Sequence, residues 1–594
     1  MTDIYAFGEN WAIPAPLRTK LDTVVADWVA ANPQSDPSLP GRVSTLETQT
    51  TQNAAAITTK APTAHTHAIT DVPGLRAELD SKGGTAFTPE RYGAKGDGTT
   101  DDAQAIRDAL AAAAGRPVVM KSGATYRVDT AIEVTGLDVN LTTDGNGRAT
   151  IYHAGYSFTP LTVSGVANVK KTTLEQSTSV NVAEWKVADV TGVKPGQIMT
   201  VVSSLPWYHD PRNLAKKAEL HLVDRVEGVN VYTRDPAFDT YQVPAETVEI
   251  SFHDPVRVSI DNIVFKLDKP PASNSAPEKV CFIAEYAVEP QLNRAGSING
   301  LGAGLSLRHS YRPRLVDTTS VDSCGYYTGY GVQTTGCTHA RIIRPYISGS
   351  RRGVDVSGQV IPSRSTRVVD GINVGGGRDS RGAPYGYTVA GQWSGVSPHY
   401  GWGSHGPADD TVFESCRSVD MHHHYTMRGR NETILNPKII GRSYLATIVA
   451  SYGTNLTVVG AQVTNGYEGG NGQTGVNPTA VSSSDSWTPE SFVLVGNTYD
   501  GVAGFIRLEN NRATVRKSVL TFVDAATAPK SVTVRNNDVV FYPQSGVTPS
   551  VVACSTGTAD SSGWHLSGNV QRGLDGAKTS VPLSSGVSPA ISAW

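Results

Sequence analysis

Beyond about residue 251 the chain repeats itself. GVQTTGCTHARIIRPYISG, from Gly331, can be laid over GVDVSGQVIPSRSTRVVDGINVGG, from Gly353. NETILNPKIIG from Asn431 is answered by TNLTVVGAQVTNG from Thr454, so the offset is about 22 to 24 residues. Each copy holds short runs with apolar residues at alternate positions, divided by turn formers, which is the pattern of brief strands. A single copy cannot bury its own apolar face. It becomes stable only when the next copy stacks on it, with parallel strands about 4.8 Å apart. The period therefore predicts a mainly β solenoid. VLVGNTYDG, RLENNRATV, SVTVRNNDVVFYPQ and WHLSGNVQRG carry it to about residue 573, and their Asn-rich turns suit ladders of stacked amides. A β-propeller would need a recurrent signature every 40 residues or so, and none is present.

Charge and cysteine content narrow the function classes. The chain has 51 Lys+Arg against 54 Asp+Glu, a net charge of −3, so no strong basic field exists to hold nucleic acid. Its five cysteines (Cys281, Cys324, Cys337, Cys416, Cys554) form no C-x-x-C and read as small fillers of the coils, compatible with folding in a reducing cytosol. MTDIYAFGENWAIPAP lacks the pattern of a signal peptide, and no apolar run reaches the 18 or so residues of a membrane span.

The first 86 residues read differently. Residues 1–41 carry Tyr5, Phe7 and Trp11, then a helical spacing of Leu17, Leu21, Val24, Val25 and Trp28. This helix either lies on the next domain or docks onto a larger assembly. In 42–86, Val43, Leu46, Thr50, Asn53 and Ile57 form a short polar heptad seam, read as a coiled coil or a solvated helix. APTAHTHAITDVPGLRAELDSKGG follows, and it resembles a linker of bacteriophage tail fibres and spikes. That resemblance implies a single metal ion on a three-fold axis, gathered by His65 and His67 of three chains; two solvated histidines are the alternative.

The most specific stretch runs from Phe87 to Val128: FTPERYGAKGDGTTDDAQAIRDALAAAAGRPVVMKSGATYRV. Ala103, Ile106, Leu110 and Ala113 share one helical face, Asp101 and Gln104 suit a capping box, and Pro117 is expected to stop the helix. The Y-G-A-x-G-D-G-x-T-D-D block resembles the opening of the pectate-lyase-like right-handed parallel β-helix proteins, which include many phage tailspikes. The resemblance implies that the helix covers the open first coil, with Asp97, Asp101 and Asp102 serving turns and caps. Capping helix and first coils are expected over 87–165, a small inserted β domain over 166–250, the main helix over 251–573 and a tail over 574–594.

Candidate site residues cluster in two places. RDSRGAPYGYTVAGQWSGVSPHYGWGSHGPADD, 378–410, reads as a long aromatic loop in which Tyr385, Trp393, Tyr400 and Trp402, with His405, offer flat faces to sugar rings. CGYYTGYG at 324–331 can line the same groove. Cleavage of a glycosidic bond needs two carboxyls, about 5 Å apart or 6.5–9.5 Å apart. Asp409, Asp410, Glu414, Asp420 and Glu432 form one set, with Asp355 and Asp379, about one coil apart, as a second. In VDMHHHYTMRGR, a strand would put His422 and His424 on one face with Asp420, and Arg428 can fork onto an acidic sugar. The alternative for each is a packing or solvated role.

Together these features suggest a homotrimeric phage tailspike or minor tail protein. Its N-terminus would dock to tail or baseplate proteins, and its β-helix would bind, and either cut or merely hold, a host surface polysaccharide. It would be made in the host cytoplasm and reside in the virion, with no cofactor required; the HxH linker allows for one metal ion on the trimer axis. A purely structural tail spacer and a cellular pectinase-like enzyme are the alternatives.

Overall fold

The computed structural model describes residues 86–207, 215–269, 279–375, 400–464, 489–496, 503–541 and 549–572, save 324, 326, 327, 442, 444, 445 and 490, together with the short strands at 584–585 and 587–588. The calls on 1–41 and 42–86, including His65 and His67, lie outside the described residues apart from Ala86. So do Tyr385, Trp393, Asp379 and Cys324.

Three long parallel sheets wind through Ala86–Trp594. Sheet 1 has 13 strands, from Pro117–Met120 to Trp564–Ser567, and sheet 2 has 14, from Asp97–Asp101 to Val570–Arg572. Sheet 3 has 13, from Ile132–Thr135 to Ser584–Ser585. Each turn of chain contributes one strand to each sheet, so the fold is a parallel β-helix. Its three inner faces share one continuous apolar core, from Ile106 and Met120 through Trp402 and Phe413 to Leu566.

The corners explain why the sequence coils rather than running on. Sheet 1 passes to sheet 2 through a single left-handed residue in rung after rung: Asn262, Arg294, Asp317, Arg344, Asp370, Ser415, Asn436, Asn510 and Asn536 all have φ between 49° and 62°. Asn and Asp tolerate this conformation better than other side-chain-bearing residues. Just past that corner the expected amide ladder exists: Asn511 Nδ2 donates to Asn537 Oδ1, and Asn537 Nδ2 to Asn569 Oδ1, each at 2.9 Å.

The first coil is closed by a helix, Ala103–Ala113, that buries Ala103, Ile106, Ala109, Leu110 and Ala113 in the common core. Asp101 accepts from the Ala103 amide, Asp102 from Lys95 and Gly96, and Asp97 from Thr99 and Thr100. The capping box does not form, because Gln104 turns outward to Asp108. Nor does Pro117 stop the helix: Ala114 and Gly115, both left-handed, end it, and Pro117 opens a strand.

Between Val166–Thr173 and Val248–Asp254 a six-stranded antiparallel sheet interrupts the coil where sheet 3 turns back to sheet 1. It has its own small core around Trp185, Val201, Tyr241 and Phe252. Cys281, Cys337 and Cys416 are buried among apolar neighbours, and burial pushes the thiols of Cys337 and Cys416 up to about 12.

Candidate functional site

Val332, Val354, Val356, Tyr425 and Met427 point into the core, and Gly331 and Gly353 face inward as well, where an added Cβ would meet Ile347 and Asn373, so the outward residues are those flanking each inward pair. Two outward columns result. One runs Tyr330, Arg352, Tyr400, His423; the other runs Gln333, Asp355, Gly403, Thr426. In the first, the Arg352 guanidinium lies 5.7 Å from the Tyr330 ring centre and 5.4 Å from that of Tyr400. Tyr400 in turn stacks on His423 at 5.7 Å and 10°. In the second, a Cβ on Gly403 would stand 3.5 Å from Arg352 Cδ and 2.7 Å from the Thr426 carbonyl, so the bare position makes room for the arginine stem.

Arg352 and Asp355 are fully buried and ion-paired. Asp355 also accepts from His405 Nδ1 at 2.9 Å and from Gln333 Nε2 at 3.2 Å. Burial alone would raise its carboxyl, but the adjoining His405 and Arg352 outweigh burial and hold it far below the usual carboxylate range. Burial pushes the His405 imidazole down to about 4 despite the carboxylate beside it. It is neutral at pH 7. Since Nδ1 faces the carboxylate, Nδ1 carries the hydrogen and Nε2 is the acceptor. Arg428, half-buried at the end of the next rung, lies over Tyr452 at 6.0 Å. Among the described residues it has no carboxylate partner, and burial and the charge of Arg352 push it below its ordinary pKa. The face thus offers aromatic rings, a neutral imidazole and a cation available to an anion or to sugar oxygens.

The structure brings together Asp355, Tyr400, His405 and Arg428 from the sequence-derived candidates, and adds Tyr330 from the second aromatic turn. Tyr400 and Trp402 sit on a rung strand, Tyr400–Ser404, rather than in a loop. Trp402 is fully buried in the core near Phe413, so it offers no surface to a sugar. The strand carrying the histidines is also not simply alternating. His424 turns inward to Ser418 Oγ at 2.8 Å, and Tyr425 after it is inward too, so His424 leaves the outer face. His422 is buried against Tyr400 and His423, and Asp420 occupies the left-handed corner before them.

The acids do not form one group. The register partner of Asp355 one rung on is Gly403, so no carboxylate continues its column there. Asp409 is gripped by Arg364 and Arg430 at the junction with the inserted domain, where both guanidiniums also meet Asp239 and Asn431 donates to Asp409. Trp207 packs beneath the two arginines. Asp410 is an exposed corner residue bonded to Ser365 Oγ, and Glu414 pairs with Arg367. Glu432 points inward, where Oε1 accepts from the Gly429 amide at 3.0 Å, and burial pushes its carboxyl up to about 8. It is an acid held protonated inside the coil. Among the described residues no group of three His, Cys, Asp or Glu could hold a metal ion, and no helix is long and apolar enough to cross a membrane.

These shifts fix a stability profile. Burial pushes His253, His405 and His423 each down to about 4, against roughly 6.5 when unfolded, so their contribution is complete above that value and is lost as pH falls toward 4. Glu432 acts oppositely: its contribution is complete below the unfolded value of roughly 4.3 and is lost as pH rises to about 8. Burial pushes the His153 imidazole down as well, so the histidines outweigh Glu432 on the acid side and the thermal stability maximum lies near neutral pH. Melting scans from pH 5 to 8 should show it, and Glu432→Gln should remove the decline on the alkaline side; a decline that persists in the variant would contradict the assignment.

The fold class is that of phage tailspikes. No family model matches the chain. The chain is similar to the tailspike protein gp49 from Pseudomonas phage LKA1, with TM-score 0.50 and 14% identity over 84% of this chain and 80% of that one. It is similar in the same degree to the Gp54 tailspike of Acinetobacter baumannii bacteriophage AP22, solved in complex with A. baumannii capsular saccharide, with TM-score 0.50 and 16% identity over 83% and 71%. Among curated proteins, a segment of 78 residues is 36% identical to Depolymerase 1, capsule KN3-specific, of Klebsiella phage KN3-1. That match spans 12% of this chain and 10% of the relative's length.

Proposed function

We propose that this chain is a phage tail spike that attaches to a glycan of the host cell surface through the outer face of sheet 3. The observation that carries the reading is the half-buried Arg428, with no carboxylate partner among the described residues, beside Tyr400 and the Asp355–His405 pair. Leaving a half-buried cation without an anion costs free energy unless a ligand supplies one. The tailspike fold and the short match to a capsule-specific depolymerase support a capsular or envelope polysaccharide as that ligand. Tyr400, whose ring is already covered by Arg352 and His423, would meet a sugar with its edge and hydroxyl while Arg428 and Gln333 bond the sugar oxygens. A homotrimer, docking of 1–41 to tail or baseplate proteins, a metal ion held by His65 and His67, and assembly in the host cytoplasm complete the proposal on the sequence features given above.

Cleavage is a second reading, favoured by one feature: His405 is neutral, its tautomer is fixed by Asp355, and its Nε2 has no partner among the described residues. Asp355 would then be a positioning residue, since its ion pair keeps it charged. Glycan-array or calorimetric binding of host polysaccharide should weaken about 10- to 100-fold in Tyr400→Ala and Arg428→Ala, for the loss of the tyrosine edge and hydroxyl or of a charge-assisted bond. Unchanged affinity in both would refute the site. If the bound glycan is also cut, new reducing ends or unsaturated uronate should appear with wild type and vanish with His405→Ala.

A further inference from the structure

A second cleft, of about 770 Å³, lies on a different face, where sheet 1 begins and the inserted domain meets the coil. Its floor is a column of arginines. Arg314, Arg341 and Arg367 are register partners on three successive rungs, continuing from Gln291 and ending at Val412. All three are exposed. Stacking like charges about 4.8 Å apart is unfavourable, so such a column is normally neutralised. Single arginines elsewhere on the coil do find carboxylates: Arg344 forks onto Asp317, and Arg294 pairs with Asp261. Within the cleft Arg367 has Glu414, but among the described residues neither Arg314 nor Arg341 has an ion-pair partner. The nearby Asp235 is already engaged by Tyr311, His339 and Arg312.

We propose that this column is a binding subsite for a carboxylated polysaccharide, one bearing uronate or similar acidic sugars. The rungs fix the guanidiniums at a constant pitch along the axis, which suits a polymer that repeats its carboxylates. Glu289 and Asp410, on the same walls, are placed to accept hydrogen bonds from sugar hydroxyls between the carboxylates. The subsite does not depend on the sheet 3 reading.

Oligogalacturonate is the probe, with a neutral dextran oligosaccharide of equal length as control, followed by calorimetry on the full chain. Wild type should bind the acidic oligomer and not the neutral one, and the affinity should fall with added salt. The Arg314→Gln, Arg341→Gln double variant should lose about 10- to 100-fold with a melting temperature no lower than that of wild type, because both side chains are exposed and their mutual repulsion is removed. Arg341→Lys, which keeps the charge, should lose less than Arg341→Gln. The loss caused by Arg314→Gln, Arg341→Gln should be equally large in a Tyr400→Ala background, which separates this subsite from the face on sheet 3. No binding by wild type, equal binding by the double variant, or equal binding of the neutral oligomer would each overturn the proposal.

Discussion

Replacing Asp409 by alanine should destabilise the protein by about 3–5 kcal/mol, the scale found when one partner of a buried ion cluster is removed. Arg364 is fully buried and Arg430 nearly so; without Asp409 they share only Asp239, and two like charges face each other under Trp207. Asp410→Asn is the matched control: its neighbour is exposed, bonded only to Ser365 Oγ, and asparagine tolerates the left-handed backbone, so the change should stay within about 0.5 kcal/mol. Urea or thermal unfolding followed by circular dichroism distinguishes the two. The difference should also depend on pH. Burial would raise the Asp409 carboxyl, but Arg430 and Arg364 hold it below the ordinary value. Its contribution is therefore complete above the unfolded value of roughly 3.9 and is lost as pH falls through the lower folded value, so wild type and variant should converge in acid. Equal stability of Asp409→Ala and Asp410→Asn at neutral pH would show that the junction is not held by this cluster.

Arg352→Ala should have a comparable effect, about 3–5 kcal/mol, with a second signature in the site itself. Asp355 would remain buried with only His405 and Gln333 against it. His405 would lose a repelling guanidinium and keep its carboxylate, so its imidazole should rise from about 4 toward the ordinary value of roughly 6.5. Titration of the His405 ring by NMR reads that shift directly. A ring that still titrates near 4, with stability unchanged, would mean that Arg352 does not organise this face.

The solenoid was legible because its period is enforced by stacking. Short apolar runs at constant offset have few other ways to bury themselves, and the Asn-rich turns announced the Asn511–Asn537–Asn569 ladder. The site was harder. Tyr400 and Arg428 were recognisable by residue type, but their depth was not. Trp402, read as a sugar platform, is a core residue because Tyr400–Ser404 is a rung and not part of a loop. His424 went astray for a related reason: two consecutive inward residues break the period of two, and no side chain signals that break in advance. Arg352 went unread because a charged residue before GVDVS suggests a solvated strand end, whereas Asp355 and His405 bury it. The acids were grouped by distance along the chain, while the coil distributes such positions among corners, outer faces and the interior. The arginine column, by contrast, was present in the recurring RLV, RII and RVV triplets at Arg314, Arg341 and Arg367.

The central claim is that a host glycan lies across the outer face of sheet 3. A crystal structure of the full chain soaked with an oligosaccharide released from the host's surface polysaccharide tests it most directly. The expected result is sugar density against the edge of Tyr400 and within hydrogen-bond distance of Arg428 and Gln333. Sugar bound at another surface, with that face bare, would contradict it.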